Sequence, residues 1–545
     1  MGGVVLHPRD LAGCEHRLAL DFAHPDQRAD RTDTPDTARR KEAAADHRTA
    51  VREMLRGVHS DQPPGTWQVI VGASHQARVD ATLAACRDGV EWIWNATLPT
   101  ERGRRGHAEL LVRVDGGYVP VIVVNHRVSY PTSAAARASG GPTVLTSPVW
   151  TWAPQVDSSR SARNQRRDLL RLAQLTTMMS DLGLTPSDDP TELKAGIIGI
   201  DADCIVVHAM GPVLADYEQV FDRRIAIAEQ LIATIPRRIG ECRSCPWWER
   251  CGPDLERRRD VSLVVGGNQS SALFEIGVNT IDQLAAYRGA PPPNWPGNAR
   301  FSDAVVLAMA WLTDTKLVRR VEEPTVARAD VEVDVDMESY GESGAYLWGT
   351  LLTDTTDPMR EVRYRPFVTW DPLPTRDEGR SFGEFWTWLI DERDKATRAG
   401  KTFAAYCYSQ QAENRWLLSS TDRFAGDPGV PTRTEVQQFI DSDEWVDIFE
   451  AVGRNFICPL GKGLKRVAPV AGFRWRDDEA SGEASMDWYR LAVALDGGSP
   501  DLGQRERLLE YNEDDVRATK VLREWMDGPA RDEVPYQDSL LALRD

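Results

Sequence analysis

Four acidic side chains and one tyrosine in the second half of this 545-residue chain carry the pattern of a metal-assisted reaction. In VEVDVDMES, Asp336 and Glu338 stand two apart on an apolar strand, and strand alternation points both to one face. Two carboxylates facing one way are costly to bury unless a cation sits between them. In YNEDDVRAT, Tyr511 lies one helical turn before Asp515 on the same face. Between these segments, FAAYCYSQQAENRWL places Glu413 at the head of a helical run, with Asp447 and Asp514 as the next acids in reach. Carboxylates gathered from separate segments are what a divalent-metal site requires.

A second set is built from thiols. Cys242, Cys245 and Cys251 sit in ECRSCPWWERCG, and Cys14 stands 228 residues before the first of them. Thiolates spaced in this way reach one centre from a single loop, with the fourth ligand supplied from elsewhere. Tetrahedral zinc and an iron–sulfur cubane both accept such a set. Such a centre would clasp the two ends of a domain. Cys86, Cys204, Cys407 and Cys458 have no such company and read as core residues.

A chain of this length exceeds one hydrophobic core, and 41% hydrophobic with 27% charged residues is the balance of a folded soluble protein. No apolar run approaches a membrane span, and the N-terminus lacks the basic and apolar regions of a secretory leader. The expected compartment is the cytoplasm, where clustered cysteines bind metal more often than they pair. The net charge of −18 is uneven: residues 1–260 hold 33 Lys+Arg against 34 Asp+Glu, the rest 32 against 49. An acidic second half disfavours loose binding along nucleic acid, which rests on counterion release by Lys and Arg. It suits carboxylates gathered around a divalent metal.

The elements that must position these groups follow from periodicity. Strands are expected at WQVIVGA, EWIWNATL, HAELLVRVDG and YVPVIVVNHRV, a loop over 129–160, a helix in RRDLLRLAQLTTMMSDLGL, and a strand pair in GIIGIDADCIVVHAM. A long helix then leads into the cysteine loop. Residues 261–290 suggest two short helices around Ile276-Gly277-Val278, resembling a helix-hairpin-helix fragment, and APPPNWPG marks a linker. From about 330, strands VEVDVDME, AYLWGTLL and VRYRPFVTW precede helices that close the chain.

The one-before, three-after placement of Cys14, Cys242, Cys245 and Cys251 resembles the RecB-like nucleases of the PD-(D/E)XK superfamily that carry an iron–sulfur clasp. The phrases DL-x2-C-x-HR and CxxCPW add to that resemblance. It implies a structural 4Fe-4S cluster on these cysteines, with zinc as the alternative. That superfamily's site needs an acid on one strand and an acid-x-Lys on the next. Here Glu109 stands in the first, but Asn125-His126-Arg127 replaces the second; His47 and the helical Gln174 match further motifs. Asparagine brings no charge to a metal and arginine stays protonated, so this nuclease site is expected to be degenerate. The later region resembles DnaQ-like, RNase H-fold exonucleases of the DEDD type. The resemblance maps their acids onto Asp336, Glu338, Glu413 and Asp515 and their tyrosine onto Tyr511, and includes Lys465. It implies Mg²⁺ or Mn²⁺ on the four carboxylates, with Tyr511 orienting the attacking water.

The expected architecture is therefore an α/β multidomain chain. Residues 1–260 form a RecB-like domain with a four-cysteine cluster, 261–325 a helix-hairpin-helix-like connector, and 326–545 an RNase H-like exonuclease domain. The expected activity is 3′–5′ exonucleolytic hydrolysis of DNA single strands or ends, with RNA not excluded and a helicase as a possible partner. The competing expectation is a non-catalytic nucleic-acid-binding adaptor of DNA repair.

Overall fold

A computed structural model describes residues 3–29, 35–59, 62–63, 65–132, 143–357, 359, 362–479 and 481–543. The chain divides into two compact units, Met1–Leu255 and Glu256–Asp545. The helices of 261–325 fall inside the second. Among the described residues no helix is long and apolar enough to cross a membrane.

The first unit is organised on a sheet whose strands are β1 (Trp67–Val69), β2 (Trp92–Thr97), β3 (His107–Val114), β4 (Gly117–Val123), β6 (Val144–Ser147), β7 (Gln155–Asp157), β9 (Lys194–Ile198) and β10 (Ile205–Ala209). Their order is β1-β2-β3-β4-β9-β10-β6-β7, and β5 (Ser129–Pro131) pairs separately with β8 (Arg160–Ala162). β4 is buried along its whole length, as its near-continuous apolar run requires. The helix Arg166–Asp181 packs on β4 and β9. The expected loop over 129–160 is corrected here: β5, β6 and β7 lie within it. Their cue is weak because Ser and Thr dilute the apolar residues, and β6 gains its partner, β10, from residues about sixty positions later.

In the second unit a five-stranded sheet has the order β14-β13-β12-β15-β16. These are β12 (Val331–Ser339), β13 (Ala345–Asp354), β14 (Tyr364–Val368), β15 (Phe403–Cys407) and β16 (Trp445–Asp447); β11 (Val318–Arg319) and β17 (Phe456–Ile457) pair apart from it. β12 runs antiparallel to β13 and parallel to β15, so it is central and covered on both faces. Its odd-numbered residues Val331, Val333, Val335 and Met337 join Phe382, Phe385, Trp386 and Leu389 of the helix Asp377–Arg398 in one apolar core. Its even-numbered residues are Glu332, Asp334, Asp336 and Glu338, and the helix Leu502–Met526 packs against this strand. That helix begins at Asp501, whose carboxylate accepts from the amides of Gly503 and Gln504. The helices Gly267–Glu275, Ile281–Ala286 and Phe301–Leu312 share a separate apolar cluster with Val318, Ile457 and Leu540.

Candidate metal centre

One strand carries four carboxylates at period two, and the structure treats them in two ways. Glu332 and Asp334 are fully buried and meet Arg523, itself fully buried. The guanidinium donates to Asp334 at 2.9 Å and 3.3 Å and also to Glu332. Tyr406 donates its hydroxyl to Glu332 at 3.0 Å, and Arg328 donates at 2.7 Å. These charges are matched and their hydrogen bonds made, as a buried ion cluster requires.

Among the described residues, Asp336 and Glu338 receive no arginine. Instead Asp515 of the helix Leu502–Met526 reaches them, and ligand oxygens of the three lie within 4.8 Å of one another. Burial, then the charges of Asp515, Glu338 and Glu413, holds Asp336 well above the usual carboxylate range, with Lys465 pulling the other way. Burial and Asp515 push Glu338 up to about 8. Asp515 is raised chiefly by burial. Burial and mutual repulsion thus disfavour the ionised trio, and a divalent ion is the partner that would offset both.

Glu413 lies outside that trio but close enough to raise both Asp336 and Glu338. It sits in the first turn of the helix Gln411–Arg423, and it is buried with its Oε2 unpartnered. Burial, with Asp447 nearby, pushes it up to about 8. Tyr511 is buried beside Asp515 and stays protonated, its ring packed edge-on to Trp488. Lys465, in the short helix Leu464–Val467, places its ammonium 4.4 Å from the centre of the Tyr511 ring. Asp447 and Asp514 are otherwise engaged. Asp447 caps the helix Ile448–Asn455 and accepts from the amides of Ser409 and Gln410, while Asp514 accepts from Arg476 at 2.8 Å.

Further residues complete the site. Asn512 donates to Asp336 at 2.7 Å and accepts from the Tyr364 hydroxyl at 2.7 Å. Trp475 donates its indole N–H to Asp515 at 2.6 Å, and Ser485 reaches Glu338 at 3.4 Å. Gly349 lies opposite Asp336 in the β12–β13 register, where a Cβ would fall 1.6 Å from the Asn512 side-chain oxygen. Sequence reading missed these residues. The available signal was Asn512, Asp515, Thr519 and Arg523, polar groups at helical spacing whose shared face is buried.

The first unit brings its predicted residues to different ends. Glu109 is buried on β3, and its carboxylate accepts from Arg171 at 2.8 Å and from the Val123 amide at 3.2 Å. β4 ends at Val123, so Asn125 and Arg127 lie past the strand rather than on it. Arg127 stands 3.5 Å from Asp201, and His126 pairs with Asp168 at 2.9 Å. Gln174 is fully buried and donates to the carbonyls of Leu6 and Arg105, a packing role. His47 bonds the Gly199 carbonyl at 3.1 Å.

The cysteine segments do meet. Cys14 caps the helix Glu15–Ala23, its sulfur accepting from the Arg17 amide at 3.4 Å. Cys242 accepts likewise from the Ile239 amide at 3.4 Å. Trp247 donates to Asp21 at 2.7 Å, and Gly13, at φ +81°, leaves room for the Glu241 carboxylate that a Cβ would strike at 2.5 Å. Burial raises the Cys14 thiol, and burial followed by Cys245, Cys14 and Cys242 pushes Cys251 up to about 11. Among the described residues, however, the only group of three ligand atoms mutually within 4.8 Å is the carboxylate trio.

With this geometry in hand, comparison adds one family. The model of the RNase_H superfamily matches residues 422–527, a span that includes Lys465, Trp475, Tyr511, Asn512 and Asp515. No curated protein matches the chain. The C-terminal unit therefore carries an RNase H-like domain, a fold commonly used by nucleases.

Proposed function

We propose that the C-terminal unit is a metal-dependent 3′–5′ exonuclease acting on single-stranded DNA or DNA ends. The observation that carries this reading is the carboxylate trio itself. On one strand face, Arg523 neutralises Glu332 and Asp334, while Asp336 and Glu338 meet a third acid. Such a cluster is a cation site by charge balance. Its donors are all hard oxygens, which fits Mg²⁺ or Mn²⁺. Asp336, Glu338 and Asp515 would hold the ion, with Glu413 as the fourth acid. When bound, it supplies Lewis acidity to the phosphate and lowers the pKa of water.

The chain's own groups do the rest. Asn512 and Trp475 fix the carboxylates of Asp336 and Asp515 and leave their remaining oxygens for the ion. Tyr511, protonated, orients the attacking water, and Lys465 offsets charge developing on the scissile phosphate.

In the first unit we propose a RecB-like domain whose cutting site is degenerate and whose cysteines hold a structural 4Fe-4S cluster. The pairing of Glu109 with Arg171 supports the first point. The meeting of the cysteine segments supports the second.

The test is Mn²⁺-dependent degradation of a 5′-labelled oligonucleotide, DNA and RNA in parallel, by wild type and by Asp336→Ala. Shortening from the 3′ end that Asp336→Ala abolishes is expected. Folded wild type without activity would leave the adaptor reading, and activity lost in Glu109→Ala but kept in Asp336→Ala would move the chemistry to the first unit.

A further inference from the structure

Beside Glu109 the first unit opens a cavity of about 650 Å³. Its walls include Arg78, Arg105, Arg167, Arg171, His75 and His107, with Asp168 as the acid among the lining residues. That acid is occupied by His126 at 2.9 Å, and Glu109 by Arg171. Arg167 stands 3.5 Å from Glu241. Arg78 and Arg105 have no carboxylate partner among the described residues; Arg78 makes one long bond, 3.4 Å, to the Gly72 carbonyl. Guanidinium groups gathered at one wall without acids make a positive surface that attracts an anion.

We propose that this cavity binds the phosphate groups of a single nucleic-acid strand. The cation type supports phosphate: each lining cation other than histidine is an arginine, whose planar fork matches phosphate oxygens two at a time. Histidine sides with it. His75 and His107 also line the cavity, each held below the usual imidazole range, first by burial and also by neighbouring arginines. The His107 ring is anchored at 2.8 Å to Asn95, a residue in the left-handed region at φ +63° whose amide also bonds the Ile70 carbonyl. The volume falls within the range of ligand pockets and admits about one nucleotide. Arg171 is the decisive group. By taking the carboxylate that would otherwise hold a metal, it converts a cation site into an anion site. That the anion is a strand, rather than a free nucleotide, rests on the nucleic-acid reading of the RNase H-like unit.

The experiment uses the full chain in EDTA and a 3′-labelled single-stranded oligonucleotide, with and without a 5′-phosphate, followed by fluorescence anisotropy. Arg78→Gln and Arg105→Gln are each expected to weaken binding about tenfold and to lower the salt-dependence slope by about one. Among the described residues neither arginine holds an ion pair, so thermal unfolding should match wild type. In wild-type protein the ring resonances of His75 and His107 should shift on titration. Unchanged affinity in both variants, or unmoved ring resonances, would overturn the site. Displacement of the oligonucleotide by adenosine monophosphate at equal concentration would overturn the strand and assign a free nucleotide. Failure of the nuclease reading is separate: it shows as absent cleavage by wild type, whatever the arginine variants bind.

Discussion

At the scale of the residue, the protons on Glu338 and Glu413 make a measurable signature. Glu338 is raised from 4.5 to about 8, and so is Glu413. Below pH 4.5 folded and unfolded chains both hold these protons. Between 4.5 and 8 the unfolded chain releases them while the folded chain keeps them, so stability falls as pH rises through that window and then levels. Metal-free protein should therefore lose melting temperature from about pH 5 to pH 8, and Glu338→Gln should flatten the slope. Mg²⁺ should raise the melting temperature more at pH 8 than at pH 6, because ion and proton compete for the same oxygens. Scanning calorimetry in EDTA and in Mg²⁺ checks both. A second residue-scale expectation concerns Asn512, which touches Asp336 but would not touch the ion. Asn512→Ala should cost about 10–100-fold in activity or metal affinity, as loss of a ligand's own support does elsewhere. A Mn²⁺ titration of cleavage rate separates the two.

At the scale of the element, β12 and the helix Leu502–Met526 are one device with two ends. Arg523 closes one end and Asn512 with Asp515 opens the other. Arg523→Met leaves Glu332 and Asp334 buried without their cation and should destabilise the second unit by about 3–5 kcal/mol, read by urea unfolding. Gly349→Ala should act differently. Its Cβ would meet the Asn512 side chain, so β13 keeps its pairing while the support of Asp336 shifts, and cleavage should fall about tenfold or more at near-normal stability. Much of this device was legible. Strand alternation placed Asp336 with Glu338, and helical spacing placed Tyr511 with Asp515. The neighbouring Glu332 and Asp334 obey the same alternation, but their fate depends on Arg523, some 190 positions away, and sequence periodicity has no access to that pairing. The same limit applies to Arg171, whose grip on Glu109 joins a helix to a strand 62 positions apart. Asn125 and Arg127 looked like strand residues because the apolar run of β4 gives no stop signal at Val123.

At the scale of the molecule, the two compact units divide the chemistry between them. The nine histidines, the arginine-lined cavity and the four clustered cysteines belong to residues 1–251, and the carboxylate trio to the second unit. The cysteine set follows the chain's topology: Cys14 lies near one end of the first unit and Cys251 near the other, so a cluster on them constrains nearly the whole of that unit. In the chain-entropy view, closing a loop of that length restricts the unfolded chain by about 5 kcal/mol. Each unit has a hydrophobic core of its own, and each is expected to melt as its own transition. Anaerobically purified protein is expected to contain iron and sulfide and to show two calorimetric transitions. Cys14→Ser should lower the iron content and the melting temperature of one transition while leaving the other, and Mn²⁺-dependent cleavage, close to wild type. Arg523→Met should do the reverse, shifting the second transition and leaving iron content unchanged. A colourless protein with one bound zinc would overturn the iron–sulfur cluster, and a single transition that both substitutions shift together would undo this division of labour. A shared transition would make the clasp part of the same cooperative structure as the carboxylate site.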